Sequence, residues 1–292
     1  MDKRKILIQL DSDPHPSVFD RVVAIDAGVD ELFSYGGVRP EQLRDLVHGA
    51  IFTRGPKDLK STAIFIGGSD VAAGEKLLAE VKKHLLPQFG LSVSVMLDPN
   101  GANTTAAAAV YVASQQRTLA TAQALVLAGT GPVGQRVALL LALSGAHVRL
   151  ASRQQDRATH VCEVLRARVS GAKIEPVAPS SAAELQSALA GRNLVVAAGA
   201  AGVRLLPLAN RKAAADLKVA IDLNAVPPLG IEGIEVNDKG SQRDGVIAFG
   251  AIGVGATKMK IHRAAVAQLF ERNQQILDAE EIYALAAKAV SA

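Results

Sequence analysis

ALVLAGTGPVGQRVALLLALSGAHVRLASR, residues 124–153, is the stretch that decides the fold. The apolar run Ala124 to Ala128 reads as a buried strand. It leads directly into Gly129-Thr130-Gly131-Pro132-Val133-Gly134, a G-x-G-x-x-G turn. An apolar helical stretch follows, then a second strand from His147 to Ala151. Strand, glycine loop, helix and strand in this register make a βαβ unit with a dinucleotide fingerprint. Gly129 permits the tight turn, Gly131 leaves room for backbone to approach a pyrophosphate, and Gly134 lets the helix pack closely on the sheet. Pro132 suits the first helical turn, where its missing N–H costs nothing. The N–H groups at that helix end attract the anionic pyrophosphate, so the whole loop, Thr130 and Val133 included, is expected to bind cofactor.

The end of the second strand says which dinucleotide. An NAD site carries Asp or Glu about 20 residues after the loop, bonding the ribose 2′-hydroxyl. This chain has Ser152-Arg153 there, with Arg157 one helical turn on; the nearest carboxylate, Asp156, lies in the following helix. A carboxylate would repel the 2′-phosphate of NADP, whereas arginine pairs with it in a forked, charge-assisted geometry. The expected cofactor is NADP in preference to NAD, held at this edge by Ser152, Arg153 and Arg157. The competing reading of the two arginines is a solvated helix start. Ala198 and Gly199, at the end of a strand over 194–198, and Asn224, after a strand over 219–223, complete the expected cofactor set.

Length and composition set the frame. A chain of 292 residues accommodates one large domain or two moderate ones, and 49% apolar residues supply a substantial core. The net charge of +4 is spread out, with no basic run interleaved with aromatics, which argues against nucleic-acid binding. The single cysteine, Cys162, excludes an intrachain disulfide, and His/Cys spacing offers no zinc site, so no metal is expected. A strand is expected at Lys5–Leu10, and no signal peptide is expected ahead of it. Every long apolar stretch is interrupted by glycine, polar or charged residues, so no membrane span is expected and a cytoplasmic location is.

Around the fingerprint, strands and helices alternate. Strands are expected at 5–10, 31–35, 63–66 and 93–97, with helices at 18–27, after Pro40, at 71–86 and at 104–116. The second half repeats the pattern with strands at 124–128, 147–151, 173–177, 194–198, 219–223 and 246–249. Helices over Ala256–Arg272 and Ala279–Val290 close the chain. Such alternation implies an α/β protein with mainly parallel sheets. The expected division is a substrate-binding α/β domain over 1–119, a Rossmann domain over 120–255, and terminal helices over 256–292 packing back on the first domain, with a cleft between the two domains.

Polar residues cluster where strands end, at Asp11-Ser12-Asp13, at Gly67-Gly68-Ser69-Asp70 and at Asp98-Pro99-Asn100-Gly101-Ala102-Asn103-Thr104-Thr105. In open α/β sheets ligands bind outside the carboxyl ends of strands, so Asp98, Asn100, Asn103 and Thr104 are candidate substrate contacts. The same residue types are ordinary caps and turn formers. Phe249 to Lys258 is glycine-rich, and its glycines read as room for a flat ligand. Lys258 falls in the first turn of the helix expected from Ala256, where a cation opposes the helix dipole, and this marks it as a functional candidate. His262 follows one turn later on the same face, and its competing reading is a half-buried structural histidine.

With those residues in hand, the chain resembles the NADP-dependent methylene-tetrahydromethanopterin dehydrogenases of methylotrophic bacteria, including members that accept methylene-tetrahydrofolate. The matching segments are 16–20 (PSVFD), 51–55 (IFTRG), 61–68 (STAIFIGG), 103–108 (NTTAAA), 127–134 (LAGTGPVG), 224–231 (NAVPPLGI) and 261–263 (IHR). Leu91–Val95 and Gln154–Gln155 depart from the family pattern. The resemblance implies an amino-terminal α/β domain, a Rossmann domain and a homo-oligomer. It implies that Asp20, the Asn103-Thr104 segment and Lys258 line the pterin and hydride-transfer site, with 129–134 and Ser152-Arg153 on NADP.

The implied reaction takes a hydride from the N5,N10-methylene bridge to the nicotinamide C4 and leaves a methenyl cation. No proton leaves the bridging carbon, so neither a strong base nor a metal is required. Two rival readings stand beside it. One is a shikimate-dehydrogenase-like NADP oxidoreductase, favoured by Ser152–Ala158 but lacking that group's lysine–aspartate signature in the amino-terminal half. The other is a non-catalytic NADP-binding sensor, since fold alone does not fix function.

Overall fold

The computed structural model describes residues 3–291. The chain begins with β1 (Ile6–Asp11), α1 (Val18–Asp26), β2 (Glu31–Tyr35), α2 (Leu43–Phe52), β3 (Thr62–Gly67), α3 (Val71–His84), β4 (Ser94–Leu97) and α4 (Ala102–Ser114). It continues through β5 (Gln123–Leu127), α5 (Pro132–Leu143), β6 (His147–Ala151), α6 (Gln155–Arg168), β7 (Ile174–Val177), α7 (Ala182–Leu189), β8 (Leu194–Ala197), α8 (Leu208–Ala213) and β9 (Val219–Asp222). It ends with β10 (Lys239–Arg243), β11 (Val246–Phe249), α9 (Ala251–Gln268), β12 (Ile276–Leu277) and α10 (Ala279–Ser291). Residues up to Thr104 and from Met259 onward form one compact unit, and Thr105–Lys258 form a second.

The first unit holds a parallel sheet in the order β12-β4-β3-β1-β2. Its central strands β1, β3 and β4 are almost wholly buried and mostly apolar, as expected of strands covered on both faces, with Gln9 a polar residue inside β1. Ile8, Leu10, Ile64, Ile66, Val95 and Leu97 pack against Val47 and Ile51 of α2 and Leu77 and Val81 of α3. The helices are started by the residue types that do so elsewhere: Ser17 accepts the Asp20 N–H ahead of α1, and Asp70 accepts the Ala73 N–H ahead of α3.

The second unit holds a sheet in the order β10-β11-β9-β8-β5-β6-β7, parallel throughout except for β10. Counting from β5, its six parallel strands run 3-2-1-4-5-6, the doubly wound Rossmann order, with the topological switch between β5 and β8. Its core joins Leu125, Leu127, Val195, Ala197 and Ala220 on the sheet to Leu185 and Leu189 of α7.

Two local expectations need correction. The last long helix starts at Ala251, not Ala256, and ends at Gln268. Its glycines serve the chain's own packing. A Cβ on Gly250 would lie 2.0 Å from the Glu235 carbonyl oxygen, and one on Gly253 1.9 Å from that of Asp238. Only glycine lets the helix start sit against that backbone, so these positions are not openings for a flat ligand. Lys258 consequently stands about two turns into α9, and an unfavourable position in the first turn is not a reason to single it out.

Candidate functional site

The glycine loop of the second unit has the shape its sequence promises. The Gly129 N–H donates to the Ala151 carbonyl at 2.8 Å, tying the loop to the end of β6. A Cβ on Gly134 would lie 2.7 Å from the Gly129 Cα, so helix and loop touch backbone to backbone. Gly131 is different. A Cβ there meets nothing closer than the Ala128 carbonyl oxygen, at 3.5 Å. The room in front of Gly131 is therefore unfilled by the chain, beside the N-terminus of α5. That helix end has no side-chain cap and no acidic residue in its first turn. N–H groups without a local acceptor, at the positive end of a helix dipole, suit a phosphate.

The end of β6 supplies the next contact surface. The Thr130 hydroxyl lies 3.4 Å from the Ser152 hydroxyl, and Ser152 accepts the Gln154 N–H. Arg153 and Arg157 are exposed, and Asp156 sits in the first turn of α6 rather than at the strand end. Loop and strand end thus form a continuous donor-rich edge. Further along the same sheet edge, the Ala198 N–H bonds the Leu127 carbonyl, and Gly199 packs on Leu205. Asn224, expected at the cofactor, instead directs both ends of its carboxamide to its own loop. Its Oδ1 accepts the Val226 N–H at 2.9 Å and its Nδ2 donates to the Pro228 carbonyl at 3.2 Å. Lys258 is half-buried on α9.

The first unit gathers its candidates at the carboxyl ends of β1, β3 and β4. Asp11 is buried, accepts the N–H groups of Asp13 and Ser17, and has its carboxyl pushed above the usual range by burial. Ser17 in turn accepts the Asp20 N–H. A Cβ on Gly67 would lie 3.2 Å from an Asp11 carboxylate oxygen and 3.6 Å from one of Asp20, so both carboxylates converge on that glycine. Asp98 follows β4 without exposed surface and accepts the N–H groups of Asn103 and Thr104 as well as the Thr104 hydroxyl at 2.6 Å. Asn103 reaches across to Asp278 at 2.9 Å, and the Asn100 N–H bonds the Gly68 carbonyl. In this arrangement Asp98, Asn103 and Thr104 hold the start of α4 together from inside.

His262 is fully buried, its ring stacked on Phe65 at 5.9 Å between centroids and tilted toward Phe19 at 6.2 Å. The structural reading of this histidine is the one its surroundings favour. Both phenylalanines lie in segments that carry the family resemblance, 16–20 and 61–68, but nothing in the sequence pairs them with His262. Asp222 stands near the end of the strand expected over 219–223, and the sequence holds no signal for the backbone groups that its carboxylate binds.

Residues 18–100 match the family model described as methylene-tetrahydromethanopterin dehydrogenase, N-terminal. The chain is 46% identical to the bifunctional protein MdtA of Methylorubrum extorquens, over 97% of this chain and 98% of that one. It is 31% identical to the NAD(P)-dependent methylenetetrahydromethanopterin dehydrogenase of the same organism, again over 97% and 98%. Among solved structures, shikimate 5-dehydrogenase from Listeria monocytogenes superposes with a TM-score of 0.54 at 13% identity, covering 97% of this chain and 96% of that one, a likeness of fold alone. Full-length similarity at this level, on a fold whose second sheet carries a Rossmann loop, means that the chain belongs to the methylene-tetrahydromethanopterin dehydrogenase family.

Proposed function

We propose that this protein transfers a hydride from N5,N10-methylene-tetrahydromethanopterin, methylene-tetrahydrofolate or both to NADP+, giving the methenyl form in one-carbon metabolism. The observation that carries the reading is the open position at Gly131 beside an uncapped helix start, in a chain similar over its whole length to a methylene-tetrahydromethanopterin dehydrogenase. When bound, NADP+ accepts the hydride at its nicotinamide C4.

The residues fit that cofactor. Val133 and Gly134 offer backbone N–H groups to the pyrophosphate, Gly131 and Pro132 shape the turn in front of it, and Thr130 and Ser152 extend the donor edge. Arg153 and Arg157 pair with the 2′-phosphate, with no carboxylate at the strand end to oppose it. Ala198 and Gly199 border the cofactor further along the sheet.

Around the substrate, the work falls to orientation and charge. Loss of a hydride leaves positive charge shared by the two nitrogens flanking the bridge, and a carboxylate fixed near that charge stabilises it. Asp20 fills this role, with Asp11 setting the loop that carries it through Ser17. Asp98, Asn103 and Thr104 hold the adjoining strand end rigid, Asn100 borders the substrate, and the buried His262, stacked on Phe65, packs the core behind it. Lys258 orients a pterin carbonyl or a glutamate-like carboxylate, away from the reacting carbon, because a cation beside a cationic product would slow the reaction. The same reading makes the protein a cytoplasmic homo-oligomer; exposed Val18, Val22 and Ile25 along α1 support self-association.

The test is an absorbance assay of the purified protein with each methylene pterin and with NADP+ or NAD+. Methenyl chromophore and NADPH formed together support the reading. NADP binding without turnover of either pterin overturns it and moves the weight to a sensor or a shikimate-like enzyme.

A further inference from the structure

The loop after β9 is folded by one buried carboxylate. Asp222 is 1% exposed. Its Oδ1 accepts the Asn224 N–H at 3.0 Å and its Oδ2 accepts the Ile231 N–H at 2.7 Å, so one side chain closes a loop of intervening residues at both ends. Gly230 approaches so closely that a Cβ there would stand 2.7 Å from the Asp222 Oδ1. Asn224 braces the middle of the loop, as described above, and the Leu205 and Leu206 N–H groups bond the Gly230 carbonyl, which joins this loop to the one after β8. Val226, at the tip, is half exposed. A carboxyl group buried in this way is kept by the backbone N–H groups that surround it, while burial itself pushes its pKa above the usual range.

The position of the loop gives that rigidity a use. In the order β9-β8-β5-β6, the glycine loop follows β5 and the 2′-phosphate edge follows β6. A dinucleotide whose pyrophosphate sits over β5 and whose adenosine half lies toward β6 extends its other half over β8 and β9. Resting on the NADP reading above, we propose that Asp222 is a positioning residue for the nicotinamide half: by clamping 224–231 it fixes the wall against which that ring is oriented for hydride transfer. It touches neither ring nor substrate itself.

The experiment compares wild type with D222N in two binding measurements that need no turnover. The first is the fluorescence of bound NADPH at saturation, which reports the surroundings of the reduced nicotinamide. The second is the affinity for 2′,5′-ADP, which has the 2′-phosphate edge but no nicotinamide. A carboxamide turns its N–H₂ toward backbone N–H groups on one side and loses the bonding there, so the loop loosens. D222N is expected to lose most of the bound-NADPH fluorescence enhancement and to bind 2′,5′-ADP within about twofold of wild type. Where turnover is measured, kcat falls on the order of tenfold, since misplacing a reacting ring costs rate. Equal losses for both ligands, or an unchanged NADPH signal in a folded variant, would overturn the proposal. Should D222N fail to fold, N224A carries the same test, because it removes the middle brace and leaves the buried carboxylate with its backbone donors. Wild type that enhances NADPH fluorescence yet turns over no methylene pterin would sink the enzymatic reading and leave this one standing on binding alone.

Discussion

The Thr104 hydroxyl donates to the Asp98 carboxylate at 2.6 Å, and neither residue has exposed surface. Both stand in a segment whose composition suggested ligand contacts, and both are occupied in holding the turn between β4 and α4. Thr104→Val leaves the carboxylate short of one donor and is expected to cost about 1–3 kcal/mol of stability. Thr104→Ser keeps the hydroxyl and is expected to keep most of the stability and activity. Denaturant melts paired with steady-state kinetics check this; full stability with abolished turnover in Thr104→Val would show direct contact with substrate instead.

Gly131 and Gly134 separate folding from binding. A methyl at 134 collides with the Gly129 backbone at 2.7 Å, whereas one at 131 meets ordinary contact distances. Gly134→Ala is expected to lose about 1–3 kcal/mol, as overpacked sites do. Gly131→Ala is expected to fold normally and raise the KM for NADP tenfold or more, on the order of 1.4 kcal/mol, by filling the space the pyrophosphate needs. Thermal melts and cofactor titrations of the two variants should diverge in opposite senses.

Cofactor choice rests on the end of β6. Arg153→Ala removes a partner of the 2′-phosphate and is expected to lower the NADP-over-NAD ratio of kcat/KM by about 10- to 100-fold, the scale of one charge-assisted contact. Ser152→Asp, which restores the missing carboxylate, should lower it further. A ratio unchanged in both variants would return Arg153 and Arg157 to the status of a solvated helix start.

Cys162 is buried in α6, and burial pushes its thiol up to about 11 from 9.0. The folded protein keeps the proton more tightly than the unfolded chain. Its contribution is therefore complete below pH 9 and is lost as pH rises toward 11. Stability measured across that window is expected to fall, and to fall less steeply in Cys162→Ala. Alkylation at pH 8 should proceed no faster than unfolding, because the reactive thiolate is absent in the native state.

Much of this fold was legible from periodicity and turn chemistry. The apolar strands β1, β3, β4, β5 and β8 announce themselves because both their faces are covered. Two strands carry little such signal: β10 reads KGSQR on an exposed edge, and β12 is two residues paired to β4. The start of α9 was misplaced because Gly250, Gly253 and Gly255 look like breakers, while two of them exist to admit the 235–238 backbone. The glycine loop was legible because each of its residues answers to a local requirement. The functions of Asp98, Asn224 and Asp222 were not, because they depend on which backbone N–H groups the folded chain brings to each side chain.

Under the proposed reaction, hydride passes directly from the methylene bridge to the cofactor. This is tested by supplying methylene pterin deuterated at the bridging carbon, with NADP+ in ordinary water, and locating the label by mass spectrometry. Deuterium recovered at C4 of the NADPH formed is the predicted result. Label released to water, or left in unconverted pterin while the protein binds NADP, would contradict it.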